Sequence, residues 1–327
     1  MGAGEALPTL RGVEAALARI RPFVPETPLV RAEMLSRLLG CDLWLKNEGA
    51  TATFSFKLRG AANDLLQAQS RDSLRGIVAS SSGNHGLAVA WIARTLGHPA
   101  HVFVSIHVGA RKRQLIEMMG AQVHVVGEDV DYARAAAIEY AQANGLYFVN
   151  DGVSLDLMEG AGTMALEIGQ RLPDVDAVIV NVGGGNLAAA TAATMKALQP
   201  RARVIGVAPA NSPVIADSFH ARRALVVPPR ETVADALAQH ETIDFTMTVL
   251  WRYLADAWTV DDPTIVSALR MLLEWAHMLA EPSGVACLAG AWTHRAALCG
   301  QRIVLAVTGA NATIAQLQQA LAAPPLD

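Results

Sequence analysis

Short apolar runs rich in β-branched residues alternate along this chain with longer stretches whose apolar positions recur every three to four residues. The first pattern reads as strand and the second as helix. Gly76–Ser81 precedes a helical pattern from Asn84 to Gly97. Ala100–Ser105 precedes another that ends at Gly120, a residue suited to closing a helix. Ala121–Gly127, a helix near Asp131–Asn144 and the run Leu146–Asn150 continue the rhythm. Then come a helix around Gly162–Arg171, the strand Asp176–Val182, a helix from Asn186 to about Leu198 and the strand Arg203–Pro209. Long helices near Pro263–Leu279 and Val285–Ala297 and a strand Arg302–Gly309 close the chain. This repetition predicts an α/β fold of open, twisted, mainly parallel sheets flanked by helices. Two stretches break it, the polar Gln67–Arg75 and the Gly- and Asp-rich Asn150–Gly162. They predict a small domain, residues 67–152, inserted into a larger one made of residues 1–66 and 153–327.

Composition narrows the function classes. Of 327 residues 52% are hydrophobic and 17% charged, which excludes a disordered chain or a coiled coil. A net charge of -4 offers no general attraction to nucleic acid or anionic lipid, so neither partner is expected. The long uncharged stretch Ala177–Met195 holds three consecutive glycines and two asparagines, which suits a strand, a loop and a helix start better than a membrane span. The first residues lack the long apolar core of a secretory signal. Cys41, Cys287 and Cys299 have no metal-finger or CxxC spacing and read as small, reduced core residues of a cytoplasmic protein. The basic residues are 22 Arg and only four Lys. Codon bias accounts for the scarcity, yet each surviving lysine is worth asking about, because an amine does chemistry that a guanidinium does not.

Four segments have the residue types of a ligand site. Gly183, Gly184 and Gly185 follow a strand and precede an Ala-rich helix, the arrangement of a phosphate cradle at a helix N-terminus. With Ala188 they also satisfy a dinucleotide fingerprint, but the acidic residue which that reading requires about 20 positions on is absent, Ala208 standing there. A tight turn without ligand is the plain alternative. Ser80–Gly86 combines hydroxyls, glycines and Asn84 before a helix, and reads as a carboxylate cradle or simply as a capped helix start. Lys57, between Phe56 and Leu58, sits in an apolar setting that suits nucleophilic addition to a carbonyl; otherwise it is a snorkelling lysine at a helix start. Thr308 closes the last strand and either faces a ligand at the carboxyl edge of the sheet or caps a following helix. Glu281 has the same two readings. His98 and His101 lack a third residue spaced to hold a metal, and Arg111, Lys112 and Arg113 read as a solvated first turn.

In order along the chain, SFKLRGAAN, SSSGNHG, VDAVIVNVGGGNL and TGAN resemble the serine/threonine dehydratase family of pyridoxal-phosphate enzymes of fold type II, which includes serine racemase. ETPLVRAEMLSRLLG (Glu26–Gly40), LWLKNEG (Leu43–Gly49), EGAGTMALEI (Glu159–Ile168), ETVADAL (Glu231–Leu237) and AEPSGVACLAG (Ala280–Gly290) extend the likeness over nearly the whole chain. The resemblance implies that Lys57 binds pyridoxal 5'-phosphate covalently while Phe56 packs on its ring. Gly183, Gly184, Gly185, Asn186 and Leu187 would hold the phosphate, Asn84 the ring hydroxyl and Thr308 the ring nitrogen. Ser81, Gly83 and His85 would frame the substrate carboxylate. The implied reaction converts a β-hydroxy-α-amino acid to a 2-oxo acid and ammonia, with Lys57 removing the Cα proton and the cofactor phosphate protonating the departing hydroxyl. A homodimer is the implied assembly. Ser82, placed where the racemase branch has its second acid/base, keeps amino-acid racemisation as the alternative.

Several positions depart from the family pattern. Asn186 replaces a fourth glycine of the phosphate loop, and Val180-Asn181-Val182 replaces Val-Pro-Val. Gly49-Ala50-Thr51 replaces an Asn-Leu-Gln stretch, and Phe54 stands where a glycine precedes Ser55. A bulky aromatic there leads to the expectation of a larger substrate, such as a 3-aryl serine. The carboxylates of the family's divalent-cation site are missing at Ala208 and Val214, so no metal is expected at that place.

Overall fold

A computed structural model describes residues 7–326; the first six residues, which carry part of the leader reading, lie outside it. Among the described residues, ten strands form two sheets. The larger has the order β1-β2-β10-β7-β8-β9, from β1 (Leu29–Arg31), β2 (Asp42–Asn47), β7 (Ala177–Asn181), β8 (Arg203–Pro209), β9 (Asp256–Val260) and β10 (Arg302–Val307). Only the short β1 runs antiparallel to its neighbour. The smaller sheet is wholly parallel, in the order β5-β4-β3-β6, from β3 (Ile77–Ser80), β4 (Ala100–Val104), β5 (Gln122–Val125) and β6 (Tyr147–Phe148).

The helices are α1 (Leu10–Ile20), α2 (Glu33–Leu39), α3 (Lys57–Arg71), α4 (Asn84–Thr95), α5 (Ala110–Met118), α6 (Val130–Asn144) and α7 (Leu155–Arg171). They continue with α8 (Asn186–Leu198), α9 (Val214–Ala221), α10 (Asp244–Tyr253), α11 (Asp262–Ala276), α12 (Pro282–Thr293), the one-turn α13 (Arg295–Leu298) and α14 (Ile314–Ala322). Both central strands of the large sheet are apolar apart from Arg302 at the start of β10 and Asn181 at the end of β7, because each face is covered. Ile303, Leu305 and Val307 of β10 pack on one side with residues of α2, α11 and α12, while Val304 and Ala306 pack on the other with α7, α8 and α10. Alternation of side chains across a strand produces this division. The small sheet is packed against α3 and α4 on one face and α6 on the other.

Two stretches read as breaks are largely helical. α3 runs on to Arg71, and α7 begins at Leu155 under a Ser154 cap rather than near Gly162. The glycines of the EGAG segment are there for packing. A Cβ on Gly160 would lie 2.6 Å from the Arg59 carbonyl and 2.8 Å from the Gly60 Cα, and one on Gly60 would lie 2.9 Å from the Leu157 carbonyl. Glycine costs helix propensity, but here it lets α3 and α7 touch backbone to backbone.

Beneath α3 lies a buried charge network. Arg59 Nε donates to Glu48 Oε2 and Nη2 to Glu167 Oε2, each at 2.7 Å. Lys46 Nζ donates to Glu167 Oε2 at 2.7 Å and to the Thr27 carbonyl at 2.8 Å. All four ionic side chains are buried. The scarce Lys46 therefore has a structural role, in a network centred on Arg59, two residues after Lys57 in α3. Cys41 and Cys287 are buried as expected of small core residues, whereas Cys299 is exposed; all three are free thiols.

Candidate active site

The turn that carries Lys57 is stitched to the carboxyl end of β10. Ser55 bridges Gly309, and the Phe56 N–H donates to the Thr308 carbonyl at 3.0 Å. Thr51 Oγ1 accepts from the Ser55 N–H and donates to the Ser55 carbonyl, both at 2.9 Å. Phe54 takes φ +59, a left-handed conformation that suits glycine, and its side chain is exposed. Lys57 then opens α3. Its Nζ sits 2.5 Å from Asp151 Oδ2 and 5.4 Å from the Phe56 ring centre. The surroundings are therefore less apolar than Phe56 and Leu58 imply, since Leu58 turns into the core and the amine is ion-paired.

His85 completes this corner, with Nδ1 3.8 Å from Asp151 Oδ1. It is buried, neither ring nitrogen has a hydrogen-bond partner, and burial pushes its pKa down towards the neutral imidazole. Burial alone raises the pKa of Asp151, but the Lys57 ammonium outweighs it and holds the carboxyl far below its ordinary value.

The Ser81–Gly83 loop joins β3 to α4. Gly83 is the residue before α4 and no side chain caps that helix, so the loop's hydroxyls are not spent as caps. Ser81 Oγ accepts from the Gly83 N–H at 3.2 Å, and Ser82 is half-buried. A Cβ at Gly86 would lie 2.2 Å from the Ser81 carbonyl, which explains the second glycine of SSSGNHG. Asn84 Nδ2 donates to Glu281 Oε1 at 2.6 Å, while Asn84 Oδ1 accepts from Asn311 Nδ2 at 2.6 Å. Burial pushes the Glu281 carboxyl up to about 7 despite that amide and the more distant Lys112. Glu281 occupies the N-cap position of α12 without capping it, and Thr313 caps α14, so neither Glu281 nor Thr308 is a helix cap.

The glycine loop lies between β7 and α8. Gly185 has φ +88 and the first turn of α8 carries no acidic residue, leaving its initial N–H groups and positive dipole to an anion. Asn186 Oδ1 is buried without a partner. The Leu187 side chain belongs to the core, so only its backbone can serve the loop. Thr246 Oγ1 fixes the Gly184 carbonyl at 2.9 Å. The Ile243 side chain approaches the Cβ positions of both Gly184 and Gly152, which brings the loop to the corner beside Asp151. Thr308, buried at the end of β10, receives Asn181 Nδ2 on its Oγ1 at 2.9 Å.

The chain thus presents an anion cradle, an amine at a helix start beside an aromatic ring, and a buried hydroxyl at the sheet's carboxyl edge. Together with unpartnered polar atoms at His85 and Asn186, this donor set fits pyridoxal phosphate, and these features define a fold type II pyridoxal-phosphate enzyme. The family profile described as "Pyridoxal-phosphate dependent enzyme" matches residues 20–309, and the chain belongs to that family. It is 32% identical to the L-threonine ammonia-lyase of Thermotoga maritima over 303 residues, covering 93% of this chain and 75% of that one. It is 30% identical to a serine racemase of Oryza sativa subsp. indica over 284 residues, 86% of this chain and 83% of that one. The solved structure of the T.th. threonine deaminase superposes with a TM-score of 0.89 at 31% identity, covering 94% of this chain and 99% of that one.

Sequence reasoning missed Asp151, whose Asn-Asp-Gly context reads as an ordinary turn. Lys112 is the exposed charge that the sequence suggests, and its Nζ meets Asp235 Oδ2 at 2.9 Å between α5 and the segment next to Gly183. The clefts around Cys41 and around Tyr147 share no residue with the site.

Proposed function

We propose that this enzyme is an ammonia-lyase for β-hydroxy-α-amino acids of the threonine and serine type, releasing a 2-oxo acid and ammonia. The observation that carries the reading is the convergence of Lys57, the glycine loop and a neutral hydroxyl, Thr308, at one sheet edge. Bound pyridoxal phosphate supplies an electron sink for the substrate's Cα bond. In our assignment Lys57 holds the cofactor and moves the Cα proton through Nζ, with Phe56 against the ring and Asn84 at its hydroxyl. Gly183, Gly184, Gly185, Asn186 and Leu187 hold the phosphate through loop and helix N–H groups. Ser81, Gly83 and His85 orient the substrate carboxylate, and a neutral His85 leaves that carboxylate's charge to the N–H donors. Thr308 faces the ring nitrogen.

Within this class we propose the bulkier 3-substituted serines, such as phenylserine, on the strength of the exposed aromatic Phe54 beside the Lys57 turn. The half-buried Ser82 favours a second activity, racemisation in the manner of serine racemase. We further propose a cytoplasmic homodimer in which residues 67–152 form the inserted small domain, the four strands of the small sheet all lying between residues 77 and 148. Among the described residues no helix is long and apolar enough to cross a membrane.

Purified protein incubated with threonine, serine and phenylserine, with 2-oxo acid release followed and recovered substrate resolved by chirality, tests these readings. Turnover of a β-hydroxy amino acid is expected, with phenylserine preferred. A kcat/KM for threonine far above that for phenylserine overturns the narrower substrate, and enantiomer exchange without ammonia release overturns the lyase.

A further inference from the structure

Asn181 ends β7 and is buried, at a position where the family pattern has proline. Its side chain has four polar neighbours. Nδ2 lies 2.9 Å from the Gly284 carbonyl, 3.3 Å from the Ala306 carbonyl and 2.9 Å from Thr308 Oγ1, while Oδ1 accepts from the Cys287 N–H at 2.5 Å. The amide's orientation follows from this set. A backbone N–H can only donate and a carbonyl can only accept, so the oxygen must face Cys287 and the NH2 must face Gly284, Ala306 and Thr308. Thr308 Oγ1 is thereby an acceptor on its Asn181 side. A hydroxyl has a single proton, and here that proton is left for whatever lies on the other side. The NH2 has two protons, which serve its two shorter contacts, Gly284 and Thr308, while the Ala306 carbonyl receives the Cys287 thiol at 3.2 Å.

We infer that Asn181 is a positioning residue that sets the polarity of Thr308, so that its hydroxyl donates to the ring nitrogen of the cofactor and keeps that nitrogen unprotonated. This rests on the placement of Thr308 at the ring nitrogen proposed above. A protonated ring nitrogen would aim a second donor at Thr308 and leave the hydroxyl proton without an acceptor. The device tunes the electron sink from a residue that does not touch the cofactor.

The test compares affinities of the apoprotein for pyridoxal phosphate and for its 1-deaza analogue, in which a C–H replaces the ring nitrogen. Wild type is expected to prefer pyridoxal phosphate by about tenfold, the worth of one donated hydrogen bond. Thr308→Val, Asn181→Leu and Asn181→Ala are each expected to reduce that preference to about threefold or less, and Asn181→Leu in the Thr308→Val background to change it no further. If the Asn181 variants weaken both ligands equally and leave the ratio intact, the residue is merely structural and the inference fails. A measurement on wild type needs no variant: the 15N shift of labelled cofactor in the holoenzyme is expected to report an unprotonated ring nitrogen at neutral pH, and a protonated one overturns the inference. Failure of wild type to take up pyridoxal phosphate at all would instead sink the cofactor reading.

Discussion

Lys57 and Asp151, 94 positions apart in the chain, meet as an ion pair at 2.5 Å between Nζ and Oδ2. The pair holds the amine at the start of α3, over the Phe56 ring and within reach of the corner occupied by His85. An arginine at position 57 retains a positive charge for Asp151 but cannot form an imine. Lys57→Arg is therefore expected to abolish turnover and the visible absorbance of the bound cofactor while leaving the thermal unfolding midpoint within a few degrees of wild type. Retained turnover in this variant would remove Lys57 from the mechanism.

Glu281 gives the folded chain a pH dependence of definite sign. Burial raises its carboxyl from an ordinary value of 4.5 to about 7, so between those values the folded state holds a proton that the unfolded state has released. This contribution to stability is fully present below the unfolded value and is lost as pH rises through about 7. Urea unfolding of the apoprotein between about pH 5 and about pH 8 should show a decline of up to about 3 kcal/mol from this group. Glu281→Gln, which has no proton to lose, should flatten that decline, and an unchanged slope would contradict the assignment.

The buried network below α3 is expected to be intolerant of losing one charge. Removing Lys46 leaves the buried Glu48 and Glu167 facing Arg59, with the partly exposed Arg21 as the remaining cation at Glu167. Lys46→Met should cost about 3–5 kcal/mol in chemical denaturation, the usual penalty for uncompensated buried charge. A change below about 1 kcal/mol would show that the network relaxes or admits water.

Phe54 predicts a gain. Its backbone is left-handed and its side chain exposed, so the residue bears steric strain with little burial in return. Phe54→Gly should stabilise the fold by about 1 kcal/mol, read as a higher unfolding temperature, because glycine occupies this region freely. The same variant probes the substrate proposal, since loss of phenylserine preference without loss of threonine turnover would assign the aromatic to selection.

The sheets and the site motifs were legible because each is local. The run Ala177–Asn181 and its following glycines announce strand, loop and helix start within a dozen residues, and the pattern of β10 is equally self-contained. The start of α7 was not legible, because Gly160 and Gly162 look like loop residues until α3 is packed against the first and α1 and α8 against the second. Asp151, Asn181 and Lys46 escaped for a related reason. Each acquires its role from partners more than 90 positions away, Lys57, Thr308 and Glu167, and no spacing along the chain encodes such a meeting. Asn181 did leave one sign, as an amide where a proline was expected, but the sign carried no partner with it.

The glycine-to-glycine contact of α3 with α7 also decides where this scaffold has freedom to vary. With Gly60 and Gly160 in backbone contact, the helix bearing Lys57 has no compressible layer behind it and cannot retreat to admit a larger ligand. Any change in what the site accepts must come from the loops in front, Ser81–Gly83, Asp151–Val153 and the Phe54 turn. The amine is the fixed point, and selectivity belongs to the parts that face it.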